Sequence, residues 1–284
     1  MKEEFLTLKI FKKVIHWNPI LEKAILIREF EKVVQSLYSS DCIQSPVHLS
    51  IGQELTAVLI GNFYQDGDHL VGNYRSHGLA LSVSEIFEPI VLELLAKRDG
   101  VSGGKAGSMH LSVPSKNLMW TSAIVGTGVP IAMGIAEGLK RTKKNKVVSV
   151  MFGDGALEEG CVIESLNISS VFKLPVVFVL EDNGLAIHTE KKVRSSISNY
   201  CSLADTYNIK SFPGTFKNPE HLYSQFKEAY AYSRSNQLPS FISIECYRWL
   251  EHVGVSDDWD LGYRSIESIK EWQKCDIIEN PKII

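Results

Sequence analysis

Between Val147 and Leu180 the chain changes its hydrophobic period twice. Val147–Phe152 is a nearly unbroken apolar, β-branched run, and Val176–Leu180 is another. Runs of that length, bounded by turn residues, predict strands buried on both faces. Between them Val162, Ile163, Leu166 and Val171 recur at helical spacing, and Lys173-Leu174-Pro175 closes the helix. A strand–helix–strand unit of this kind places its two strands parallel and adjacent, joined by a right-handed crossover. Elsewhere the pattern predicts an apolar helix over Leu55–Ile60, a short strand at Leu70 and Val71, and a helix after Gly128. It further predicts a helix over Leu222–Ser233 with Phe226 and Ala229 inward, and a strand from Phe241. Residues 1–40 read as one or two amphipathic helices broken near Asn18-Pro19, with an apolar face from Leu21 to Leu37. The fold class expected is α/β: a mainly parallel sheet with helices on both faces, formed by residues 41–284 behind a helical segment at 1–40.

Composition narrows the functional classes. The 284 residues suffice for a substantial core, and 44% are hydrophobic. A net charge of −3 argues against general nucleic-acid or membrane-surface binding. The basic run from Lys140 to Lys146 reads as a solvated turn. Five cysteines, widely spaced and without a CxxC pair, suggest neither a zinc site nor a disulfide framework. The amino terminus mixes acids and bases, unlike a signal peptide, and no apolar run reaches the ~18 residues of a membrane span. A cytoplasmic protein is expected.

The chemistry gathers at strand ends. Gly153-Asp154-Gly155 follows the first buried run and Asn183 follows the second. Both side chains therefore emerge at one edge of the sheet, where open α/β sheets bind ligands. A carboxylate beside an amide oxygen suits a hard divalent cation that keeps room for phosphate oxygens, as magnesium does. The glycines permit close backbone approach, and amides at the start of the next helix can receive a diphosphate. Other chemistry-bearing segments are His48-Leu-Ser-Ile-Gly-Gln-Glu54, Tyr74-Arg-Ser-His-Gly78, the glycine-rich Gly100–His110 with Lys105, Ser108 and His110, Ile124-Val-Gly-Thr-Gly-Val-Pro130, and Tyr247-Arg-Trp-Leu-Glu-His252. Gly128, Ala132 and Ala136 recur at i, i+4 and suggest a helix face that contacts another subunit.

Over roughly residues 20–275 these segments resemble the alpha subunit of the thiamine-diphosphate-dependent 2-oxo acid dehydrogenases of the pyruvate, branched-chain and acetoin type. The resemblance implies the thiamine-diphosphate-binding fold, diphosphate-side domain, and two cofactors: thiamine diphosphate and Mg²⁺. It implies Asp154, Asn183 and the Leu185 carbonyl as metal ligands. The cofactor would meet Tyr74, Arg75, Ala123, Val125, Gly155, Ala156, Asn167, Arg248 and His252, with Arg75 on the diphosphate. His48, His77 and His252 would be catalytic in decarboxylation of a 2-oxo acid. The partner implied is a beta subunit carrying the pyrimidine-binding domain and an activating glutamate, in a heterotetramer. An acyl-acceptor protein or a small-molecule acceptor would take the product.

Two departures stand out: Glu251 replaces a small residue before His252, and Val253 replaces the serine after it. A carboxylate at 251 beside the histidine would alter substrate or acceptor choice and suggests a specialised biosynthetic role. Relatives run further at the carboxyl end, so the chain reads as short there. The alternatives are the amino-terminal half of a split transketolase, against which the HxxxGQE, YRSHG and IVGTGVP segments argue, and a non-catalytic cofactor-binding subunit.

Overall fold

A computed structural model describes residues 19–84, 86–142 and 145–283; the expectation for residues 1–18 lies outside them. In chain order the elements before the central unit are α1 (Pro19–Ser39), α2 (Glu54–Phe63), β1 (His69–Val71), α3 (His77–Val83), α4 (Phe87–Leu94), β2 (Leu118–Trp120) and α5 (Gly128–Arg141). The central unit is β3 (Val148–Gly153), α6 (Gly160–Val171) and β4 (Val176–Asp182). A small antiparallel pair follows, β5 (Leu185–Ala186) and β6 (Thr189–Glu190), then α7 (Lys191–Arg194) and α8 (Tyr200–Thr206). The chain finishes through β7 (Lys210–Thr215), α9 (Pro219–Asn236), β8 (Ser240–Glu245) and α10 (Ile266–Gln273).

Six strands form one sheet in the order β2-β1-β3-β4-β8-β7, with every pairing parallel. The expected β3–α6–β4 crossover is present, in a register that sets Gly153 opposite Glu181. Alternation along the strands divides the core. Val148, Val150, Phe152, Phe178 and Leu180 pack beneath α5, α6 and α8. Met151, Val177, Val179, Ile242 and Ile244 pack on the other face with α1, α2 and α9. Each such side chain, once fully buried, contributes about 1.5–3 kcal/mol. The one polar residue inside β3, Ser149, is satisfied by the Tyr230 hydroxyl at 2.6 Å. Pro213 is accommodated because β7 is the edge strand. The helices thus cover both faces, as expected, and α1 shares the second core cluster rather than standing apart from it.

Two expectations are corrected. The helix after Gly155 does not start at once: Asp154–Glu158 form a 3₁₀ turn and α6 begins at Gly160, so Glu158 and Glu159 precede the helix. The stripe Gly128, Ala132, Ala136 faces inward; both alanines are fully buried, and a Cβ on residue 128 would meet Val71 at 3.1 Å. Small residues there let α5 lie close to its own sheet. The segment 188–199 carries β6 and α7 and packs back on the sheet edge through Lys191, which pairs with Asp182 at 2.6 Å.

Candidate functional site

The carboxyl ends of β1, β3 and β4 open into a cavity of about 620 Å³, within the range of small-molecule and cofactor sites. Its floor is Gly153, Asp154, Gly155 and Ala156 at the end of β3, with Glu181, Asn183 and Leu185 from the end of β4. Its far wall carries His48, Tyr74 and His252. The histidines are brought together by backbone pairing of distant segments: His48 bridges Gly254 in parallel, the Gly254 amide donates to Val47 O at 2.8 Å, and the Trp249 amide donates to Ile51 O at 3.3 Å. The His48 ring centroid lies 4.3 Å from that of Tyr74 and 5.1 Å from that of His252.

Electrostatics keep these groups neutral. Burial, and after it the Arg75 guanidinium, pushes the His48 and His252 imidazoles down to about 3. Burial also raises the Tyr74 hydroxyl, so it stays protonated as a donor. On the floor, burial pushes Asp154 up to about 6 and Glu181 to about 7. Asp154 is 1% exposed and pairs with the Arg194 guanidinium, which also meets Glu158.

The sequence-derived site residues fall into two groups. The cavity gathers His48, Tyr74, Arg75, Ala123, Val125, Asp154, Gly155, Ala156, Asn183, Leu185 and His252. Arg75, however, donates to the carbonyls of Leu49 and His252, the latter at 3.2 Å. Its guanidinium ties together the two histidine-bearing segments, where a diphosphate contact was expected.

Three residues lie elsewhere. His77 is fully buried beneath the site, with Nδ1 2.9 Å from Glu31 and Nε2 2.8 Å from Ser108; its position opening α3 turns the ring inward. Arg248 is 1% exposed and bonds Asp258 at 3.0 Å, Ile187 O at 2.9 Å and the Tyr263 hydroxyl at 2.8 Å, bracing the loop behind the cavity. Asn167 sits on the exposed face of α6, away from the cavity lining.

Glu251 is corrected as well. Its carboxylate accepts from the Ser256 amide at 2.8 Å and closes the 251–256 turn, so it does not line the cavity beside His252. Val253 does line it. The sequence reading missed Gln53, Glu181, Met109 and Ile187, all of them lining, and Arg194 on the floor carboxylate. Gln53 and Glu181 stood inside motifs already singled out; nothing local marks Arg194.

The floor fits a magnesium diphosphate. Among the described residues no group of three or more His, Cys, Asp or Glu side chains gathers to hold a metal. A cation here would instead take one carboxylate, one amide oxygen and a backbone carbonyl, with phosphate oxygens completing the shell, which is magnesium's preference. The backbone forms the cradle: a Cβ on residue 155 would meet Ala186 Cβ at 2.9 Å, so only glycine lets the two arms approach.

The sequence profile of the family described as "Dehydrogenase E1 component" matches residues 22–282. The chain belongs to that family. Among its relatives, the pyruvate dehydrogenase E1 component subunit alpha of Rickettsia bellii (strain RML369-C) is 32% identical over 100% of this chain and 83% of its own length. The alpha subunit of acetoin:2,6-dichlorophenolindophenol oxidoreductase from Bacillus subtilis (strain 168) is also 32% identical, over 95% of this chain and 80% of its own. A solved transketolase from Campylobacter jejuni subsp. jejuni NCTC 11168 superposes with a TM-score of 0.58 at 15% identity, over 80% of this chain and 37% of that one. That likeness concerns the fold alone. Membership in the E1 family bears out the alpha-subunit resemblance read from the motifs.

Proposed function

We propose that this chain is the alpha component of a thiamine-diphosphate- and Mg²⁺-dependent enzyme that decarboxylates a 2-oxo acid and passes the acyl or aldehyde unit to an acceptor. The observation that carries the reading is the placement of Asp154 and Asn183 just past the ends of adjacent parallel strands, with Leu185 two residues on, facing a wall of His48, Tyr74 and His252. Asp154, the Asn183 amide oxygen and the Leu185 carbonyl would hold the metal. Thiamine diphosphate, when bound, supplies the electron sink that lets carbon dioxide leave the substrate.

The chain's own residues do the rest. Neutral His48 and His252 can each give or accept a proton at a ring nitrogen, and His48 Nδ1 is buried with no partner among the described residues. The protonated Tyr74 hydroxyl donates to developing negative charge. Arg75 fixes the separation of the histidine segments. The apolar lining at Met109, Ile124 and Val253 limits water at the mouth.

The activating glutamate is expected from a beta partner in a cytoplasmic heterotetramer. A specialised biosynthetic acceptor is now supported only by Val253, since Glu251 turns away. The test mixes the purified chain with its partner, Mg²⁺ and thiamine diphosphate, and assays 2-oxo acid decarboxylation against ketol transfer between sugar phosphates. Decarboxylation only on mixing is expected, and Asp154→Ala should abolish Mg²⁺-dependent cofactor binding in calorimetry. Unchanged affinity in Asp154→Ala would overturn the metal assignment, and efficient acylation of a standard lipoyl domain would overturn the specialised acceptor.

A further inference from the structure

Gln53 lines the cavity floor yet is 2% exposed, and both ends of its amide are engaged. Its Oε1 accepts from Asn183 Nδ2 at 3.4 Å, and its Nε2 donates to Cys246 Sγ at 3.5 Å. Asn183 in turn accepts at Oδ1 from the Leu185 amide at 3.0 Å. The polarity of this line is dictated from one end. A backbone N–H can only donate, so Asn183 must present oxygen to Leu185 and its NH₂ to the other side. Gln53 must then present oxygen to Asn183 and its own NH₂ to the Cys246 thiol, which is 1% exposed, and to the Glu181 carboxylate, whose charged form that hydrogen bond favours.

We propose that Gln53 is a positioning residue of the cation site: by accepting from the Asn183 NH₂, it holds that amide with its oxygen available to a divalent metal. The proposal rests on the metal reading above. An amide's two ends differ little in shape, so shape alone cannot prevent a flip, and a flipped Asn183 would direct N–H groups at both the Leu185 amide and the cation. The Leu185 amide penalises that orientation from one side, and the Gln53 acceptor, which would lose its donor, penalises it from the other.

Acceptor chemistry and shape are separable here. Gln53→Glu keeps an oxygen facing Asn183, whereas Gln53→Met keeps the length and loses the acceptor; Gln53→Leu serves if the methionine variant fails to fold. Mn²⁺, followed by electron paramagnetic resonance, is titrated into the complex of the full chain with its partner, with thiamine diphosphate present. Outer ligands of metal sites typically contribute 10–100-fold to affinity, so Gln53→Met should weaken Mn²⁺ by about that factor and Gln53→Glu by less than ~3-fold. Both variants should still unfold in a single cooperative transition without metal, which separates a lost metal affinity from a lost fold. Mn²⁺ affinity in Gln53→Met equal to wild type, or a loss in Gln53→Glu as large as in Gln53→Met, overturns the assignment while leaving the metal site standing. Failure of the wild-type complex to take Mn²⁺ removes the site itself.

Discussion

His48 and His252 share one electrostatic problem, because Arg75 reaches between their segments and burial strips both of water. Arg248, His77 and His188 add positive or potentially positive neighbours. With folded values near 3 against an ordinary 6.5, the unfolded chain binds more protons than the folded one between those limits. The histidines' stabilising contribution is therefore complete above 6.5 and is lost as pH falls toward 3. Urea unfolding across this window should show stability declining with acid, and His48→Gln should make the slope shallower. In the intact chain the imidazole C2–H resonances of both residues should not titrate between pH 8 and 5; a midpoint near 6.5 would refute the neutral pair. At this scale motif spacing made His48, Tyr74, Asp154, Asn183 and His252 legible. His77, Arg248 and Asn167 lie outside the cavity lining, because a motif fixes the backbone position and leaves the side chain's direction to packing. For His77 that direction is decided by Glu31, 46 residues earlier in the chain.

The element that most exceeds its sequence signal is the glycine-rich loop after α4. Glycines at this density permit either tight turns or flexibility, and one buried carboxylate decides the matter. Glu93 accepts from the amides of Ser102, Gly104 and Ala106 at 2.7–2.8 Å and of Gly107 at 3.3 Å. These bonds hold Glu93 below the usual carboxylate range despite burial, which acts the other way. Hydrogen bonds to a charged group contribute about 1.5–3 kcal/mol, so Glu93→Gln should cost roughly that in urea unfolding. The short helix α7 is a second case. It delivers Arg194 to Asp154, so the chain's own cation neutralises the carboxylate proposed to hold the metal. Arg194→Met should tighten Mn²⁺ binding by roughly tenfold, equivalent to ~1.4 kcal/mol; weaker binding would show that the guanidinium assists the site. By contrast β3, α6 and β4 were readable, because buried parallel strands write continuous apolar runs. The three-residue β2 and two-residue β5 and β6 are too short to carry a period.

At the scale of the molecule, β4 belongs to both halves of the core, sending Val177 and Val179 to one face and Phe178 and Leu180 to the other. Phe178→Ala should cost about 3–5 kcal/mol, and probes on either face should report a single coincident transition. A split transition would mean that the two faces unfold independently. The α/β class and the helices on both sides followed from periodicity. The strand order did not, since nothing local in β8 says that it will insert between β4 and β7. Nor did the cavity's far wall, which depends on residues 47–52 running beside 249–254.

The sealed line of Glu31, His77 and Ser108 has a consequence for chemical probing. Its distances reproduce the carboxylate–imidazole–hydroxyl geometry by which serine hydrolases are recognised. All three side chains are inaccessible in the folded chain. A fluorophosphonate that labels such hydrolases should therefore leave Ser108 untouched. The same arrangement that would flag this protein in a geometric search for esterases works here as a rivet, joining α1, α3 and the glycine loop behind the thiamine pocket.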